Sequence, residues 1–189
     1  QAHNLGVVPE MMIVKRRSAT DLWPVYHATL GNTKYIQLNS DVPEGAWSGT
    51  WNNTTPTASV FSLGNGSYTN TSSSTYVAYL FATLAGISKV GSYTGTGSSL
   101  NVDCGFTGGA RFILIRRYNY PSGGSEWYIY DSVRGIIAGN DPYLLMNSTA
   151  AEVTSTDYID PLNAGFTVTS NASSTVNVNG GTYIFLAIA

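Results

Sequence analysis

Short runs rich in Val, Ile, Tyr, Phe and Thr alternate along this chain with clusters of Gly, Asn, Ser and Pro. No window places apolar residues at helical spacing, so the pattern predicts an all-β protein. Tyr76 to Ala82 and Tyr183 to Ala189 carry apolar or small side chains on both alternating faces, which predicts central strands covered on both sides. Turns are predicted at Gly64-Asn65-Gly66-Ser67, Asn70 to Ser74, Gly95-Thr96-Gly97, Pro121-Ser122-Gly123-Gly124 and Asn179-Gly180-Gly181. Their spacing suits a sandwich or jelly roll. Only Thr149-Ala150-Ala151-Glu152 predicts a helical turn.

The order of the runs repeats. Met11 to Arg17, Trp23 to His27, Lys34 to Asn39 and Thr75 to Ala82 are followed by Phe112 to Arg117, Trp127 to Asp131, Pro142 to Asn147 and Thr182 to Ala189. Self-similarity in a fixed order marks a duplicated unit. It predicts two tandem β-sandwich, jelly-roll-like repeats over residues 1–83 and 84–189. The second is preceded by Gly86 to Gly97, which reads as a strand and a turn, and then by Cys104-Gly105-Phe106. In the first, His3-Asn4-Leu5-Gly6 stands where Cys104-Gly105-Phe106 does, so that repeat is expected to be incomplete, its missing strand lying upstream.

Composition narrows the class. Charged residues make up 11% of the 189, the formal net charge is −2, and 20 Gly and 13 Tyr accompany many Ser, Thr and Asn. A surface solvated by hydroxyls and amides fits adhesive, extracellular or virion β-proteins. The only basic clusters, Lys15-Arg16-Arg17 and Arg116-Arg117, read as strand-end charges that keep the chain soluble, so no nucleic-acid binding is expected. Cys104 is the single cysteine and reads as a small buried thiol. No apolar run reaches the roughly 20 residues that span a bilayer, and membrane insertion is not expected.

Several multi-residue blocks in fixed order resemble a repeat of tail-fibre and other tail-associated proteins of tailed bacteriophages, notably cyanophages. They are Leu5 to Arg17, Trp23 to His27, Leu30 to Tyr35, Trp51-Asn52-Asn53-Thr54 with Pro56, and Tyr76-Val77-Ala78. Variant wording follows at Gly91 to Gly97, Asp131 to Gly135, Tyr143-Leu144-Leu145, Ala151-Glu152, Gly165-Phe166 and Gly181 to Ile184. The resemblance covers nearly the whole chain. It implies an all-β virion module on the tail, extracellular in the particle, engaging the host surface, and it supplies no catalytic residue.

The residues themselves give no catalytic constellation. Asp157 and Asp160 are the closest acidic pair, but in a strand they would point to opposite faces, and Pro161 follows directly, so capping carboxylates in a turn are expected. Asp131 and Glu152 read as structural hydrogen-bonding groups. Two histidines, His3 and His27, and one cysteine do not make a zinc site of the usual ligand count, and no calcium-loop spacing occurs. No cofactor or metal is expected.

Aromatic residues carry the remaining signal. Trp23, Trp127, Tyr26, Tyr130, Tyr35, Tyr143, Tyr76 and Tyr183 recur between the repeats and are expected to serve the fold. Trp47, Trp51, Tyr68, Tyr118 and Tyr120 lie in Gly-, Asn- or Pro-rich loop sequence without clear counterparts. Sugar rings present flat apolar C–H faces beside hydroxyls, so an exposed aromatic next to amides is the platform a glycan binder needs. The candidate ligand-binding residues are Trp47, Trp51 and Asn52 in one loop and Tyr118, Asn119 and Tyr120 in another, with packing beneath its loop the alternative for Trp51.

The expected function is adhesion of a tail-fibre or tail-tip protein to the host cell through surface polysaccharide. The expected assembly is a homo-oligomer, favoured as a trimer, beside other virion tail proteins. Capsid decoration or tail cementing without receptor contact is the alternative, and polysaccharide depolymerisation the less favoured one.

Overall fold

The computed structural model describes residues 1–120 and 125–189, so the turn expected at Pro121-Ser122-Gly123-Gly124 lies outside the described residues. The chain folds as two compact units, Gln1–Ala82 and Thr83–Ala189. Both are built on antiparallel sheet, and the protein is all-β with a few single-turn helices.

In the first unit, β1 (Met11–Arg16), β2 (Pro24–His27), β3 (Lys34–Gln37), β4 (Gly45–Ala46) and β5 (Tyr76–Phe81) form one sheet in the order β4-β3-β2-β1-β5. The apolar run Met11-Met12-Ile13-Val14 is buried throughout, as a strand covered on both faces requires. On one face Met12, Val14 and Tyr26 pack with Trp51 and Phe61. The covering layer is made of loops and two short helices, α1 (Ser48–Trp51) and α2 (Ser67–Asn70). A four-residue helix is one turn long and leaves no period in the sequence, which is why neither was legible.

The second unit contains β6 (Ser88–Thr94), β7 (Leu100–Asp103), β8 (Phe112–Arg117), β9 (Tyr128–Asp131), β10 (Leu144–Leu145), β11 (Ile159–Leu162), β12 (Gly165–Val168) and β13 (Thr182–Ile188). They form a five-stranded sheet, β10-β9-β8-β13-β6, and a three-stranded sheet, β11-β12-β7. Ile113, Ile115, Tyr183 and Phe185 from the first share one core with Val102, Phe166 and Val168 from the second. Pro161 is accommodated because β11 is an edge strand, where a missing N–H costs no ladder bond.

The large sheets of the two units follow the same strand order and register. Met12 stands opposite Tyr26 and Leu80, and Ile113 stands opposite Tyr130 and Ala187. The Trp23 amide donates to Asn39 Oδ1 and the Trp127 amide to Asn147 Oδ1, each at 2.9 Å. His27 Nδ1 accepts from the Thr29 amide at 3.2 Å, and at the matching strand end Asp131 Oδ1 accepts from Val133 and Arg134.

Three expectations are corrected. β5 is not a covered central strand: it lies at the sheet edge with Tyr79 49% exposed, because no described strand takes the place that β6 takes beside β13. Thr149 to Glu152 forms no helical turn, since Glu152 is drawn onto Arg134 at 2.9 Å and Val153 bridges Tyr143 in extended form. Arg116 is not a solvating strand-end charge but is buried, its guanidinium 5.4 Å over the Trp127 ring. Lys15 sits in the same way 5.5 Å over Trp23.

Candidate functional site

Trp47 and Trp51 flank α1 and face different surroundings. Trp47 precedes the helix in extended conformation, its carbonyl accepting the Thr50 hydroxyl at 2.8 Å. Its ring lies against the backbone of Gly49 and Gly66, where a Cβ would come within 2.4 and 2.6 Å of it, so only glycine allows that approach. Tyr68 meets the ring edge-on at 5.4 Å, and 39% of Trp47 remains exposed. The result is an aromatic platform held from below and from the side. Tyr35 is close by, its hydroxyl pKa raised by burial and by Tyr68.

Trp51 is fully buried, meets Tyr26 edge-on at 5.8 Å and donates Nε1–H to the Lys34 carbonyl at 3.0 Å. It holds the loop down and does not meet a ligand. Asn52 ends α1 in the left-handed region with φ 53°, its amide donating to the Ser48 carbonyl at 2.9 Å. Asparagine tolerates that conformation better than most residues, which accounts for its presence there.

The second predicted loop is in the other unit. The Tyr118 amide continues the ladder to the Thr182 carbonyl at 3.0 Å. Asn119 is spent on structure: Oδ1 accepts from Arg117 Nε and from the Thr182 amide, and Nδ2 donates to the Gly180 carbonyl. Tyr120 keeps an exposed face, with the Arg117 guanidinium 5.0 Å over its ring. Beside it a cleft of about 80 Å³ is lined by Ser125, Glu126, Tyr128 and Ser174, among others.

The carboxylates are drawn into the fold. Asp157 Oδ2 accepts from Asn171 Nδ2 at 2.7 Å, and Asp160 lies within β11. Asp141, which sequence reasoning passed over, is buried and accepts from the amides of Tyr158 and Ile159. Burial pushes its carboxyl up to about 7, against those two donors and with help from Asp157 and Asp160. Burial likewise pushes the Cys104 thiol up to about 12, which leaves it un-ionised and unreactive at neutral pH. Among the described residues no group of three or more His, Cys, Asp or Glu side chains is placed to hold a metal ion.

A family model described as a domain of unknown function, DUF7483, matches residues 1–189. The chain belongs to the DUF7483 family. Searches of curated proteins and of solved structures give no match. The DUF7483 fold leaves its largest concavity in the first unit, a cleft of about 510 Å³ under β5 whose apolar wall is Val14, Phe61, Leu63, Tyr76, Ala78 and Leu80. No sequence signal pointed to it, because it is created by what does not stand beside β5.

Proposed function

We propose that this DUF7483 chain is a bacteriophage tail-fibre or tail-tip module that adheres to the host cell through surface polysaccharide, without covalent chemistry. One observation carries the reading: Trp47 is held rigidly by Tyr68 and two glycine backbones yet keeps 39% of its surface exposed. A pre-organised aromatic face is what stacks on a sugar ring at low entropic cost. Tyr120 under Arg117 is a second, smaller platform in the other unit. The two units, in this reading, are tandem copies of one β-sandwich repeat, the first lacking the strands that complete the second. Threefold association with further copies and attachment to other tail proteins belong to the same proposal, by analogy with the resemblance.

The test is binding of host-surface polysaccharide to the whole chain, compared with Trp47→Ala and Tyr120→Ala. Loss of a stacking contact is expected to cost Trp47→Ala about 1 to 2 kcal/mol of affinity, roughly a factor of ten. Unchanged binding by both folded variants would sink the reading.

A structural virion role, in capsid decoration or tail cementing, is favoured by the half-exposed edge strand β5, which suits contact with another chain. The position of the protein in an intact particle separates the two. A tail extremity supports adhesion, and a lattice over the capsid supports the structural role.

A further inference from the structure

We propose that the outer edge of β5, with the cleft beneath it, is an acceptor site for one extended strand of a separate polypeptide. That strand would pair antiparallel and place a bulky apolar side chain opposite Ala78. The second unit shows how such an edge is completed. There β6 pairs with β13, setting Tyr93 opposite Tyr183, Gly91 opposite Phe185 and Lys89 opposite Ala187. In the first unit the residues in the places of Tyr183, Phe185 and Ala187 are Tyr76, Ala78 and Leu80, by their shared register against β1 and β8. All three line the cleft.

Backbone geometry points the same way. The Arg17 amide donates to Thr75, which fixes Val77 and Tyr79 as the residues whose amides and carbonyls face β1. The amides and carbonyls of Tyr76, Ala78 and Leu80 therefore face outward, and among the described residues no strand pairs with that edge. The corresponding groups of β13 are the ones that pair with β6, as the Gly95 amide on the Gly181 carbonyl shows at 2.8 Å.

A side chain supplies a third point. Asn177 Oδ1 accepts from the Thr96 amide just beyond β6, at 2.9 Å. Asn70 holds the matching place before β5, its Nδ2 on the Gly64 carbonyl at 3.0 Å, and its Oδ1 has no hydrogen-bond partner among the described residues. An incoming strand would complete it with a backbone N–H three residues after the one opposite Tyr76.

The cleft also states what that strand carries. In β6 a Cβ at position 91 would lie 2.6 Å from the Phe185 ring, so glycine is required there. Opposite Ala78 the ring is missing and the space is open, so a leucine or phenylalanine fits where Gly91 stands in β6. Two residues further on, an aromatic side chain would stack on Tyr76 as Tyr93 stacks on Tyr183, at 4.8 Å between ring centroids.

The test uses the full chain and two peptides, one with the sequence of residues 87–95 and one carrying Gly91→Leu within it. The leucine peptide is expected to bind about tenfold tighter, the worth of burying one large aliphatic side chain. It should slow hydrogen exchange at the Ala78 and Leu80 amides. In the chain, Ala78→Phe should abolish the tenfold preference by filling the cleft, and Leu80→Pro should weaken both peptides by removing an outward N–H at an edge position that tolerates proline. Melting curves keep misfolded variants out of the comparison. Absence of binding, protection only at β13, or equal affinity of the two peptides would overturn the proposal. So would concentration-dependent dimerisation that itself protects β5, since the occupant would then be a second copy of this chain.

Discussion

Tyr93 lies flat against Tyr183, ring centroids 4.8 Å apart and planes 10° from parallel. Tyr93 also donates its hydroxyl to the Val176 carbonyl at 2.6 Å, so one half-buried ring ties β6 to β13 and to the loop before it. Replacing Tyr93 by alanine removes the stack and the hydrogen bond together. The expected loss of stability is about 3 kcal/mol, the lower end for aromatic-to-alanine changes. Denaturant unfolding followed by amide exchange in β6 would measure it, and a loss below half a kcal/mol would show that β6 is held by its ladder alone.

Tyr183 closes its own loop. Its hydroxyl donates to the Thr175 carbonyl at 2.8 Å and accepts from the Val178 amide at 2.9 Å. Tyr76 repeats the clamp in the first unit, donating to the Ser67 carbonyl and accepting from the Thr71 amide. Removing only the hydroxyl leaves two backbone groups unpaired in each case. Tyr183→Phe, at a fully buried ring, is expected to cost about 2 kcal/mol, and Tyr76→Phe, at a more exposed one, about 1 kcal/mol. Faster exchange at Val178 and Thr71 respectively is the local readout, and unchanged exchange at both would refute the clamps.

These clamps explain how much of the molecule could be read in advance. Recurrence of Tyr76 and Tyr183, and of Trp23 and Trp127, marked the all-β framework, because residues that secure a sheet are fixed by its register. Trp51 was harder. Its loop wording resembles that around Trp47, yet one ring lies against Tyr26 in the core and the other against Tyr68 at the surface. Which side of α1 each tryptophan takes depends on Gly49 and Gly66 lying under Trp47, a three-dimensional circumstance with no period. The edge position of β5 was illegible for a related reason. Its side chains match those of β13 in kind, and only the absence of a neighbouring strand makes one an edge and the other central.

The Tyr130 ring is fully buried between β8 and β10, and its hydroxyl has no hydrogen-bond partner among the described residues. Burial, then the nearby Asp141, raises its pKa well above the ordinary value, so the group stays neutral. A buried hydroxyl without a partner costs about 1 to 3 kcal/mol of desolvation. Tyr130→Phe is therefore expected to leave the second unit unchanged in stability or raise it by about 1 kcal/mol. A loss of more than 1 kcal/mol in thermal or denaturant unfolding would show that the hydroxyl is in fact satisfied.

Asp141 links the second unit to pH. Its carboxyl, pushed from an ordinary 3.8 up to about 7 chiefly by burial, binds a proton in the folded chain that it has already lost in the unfolded one throughout that window. The folded state thus holds more protons, and its stability should fall as pH rises from about 4 to 7 and level off above. The contribution is fully present only below the unfolded value. Asp141→Asn has no proton to lose and keeps one oxygen for the amides of Tyr158 and Ile159, so its stability should be flatter across the same window. Melting temperature measured for both proteins between pH 4 and 8 isolates the effect as a difference, since the other carboxylates are common to the two. Parallel curves would show that Asp141 titrates at its ordinary value, its backbone donors outweighing its burial.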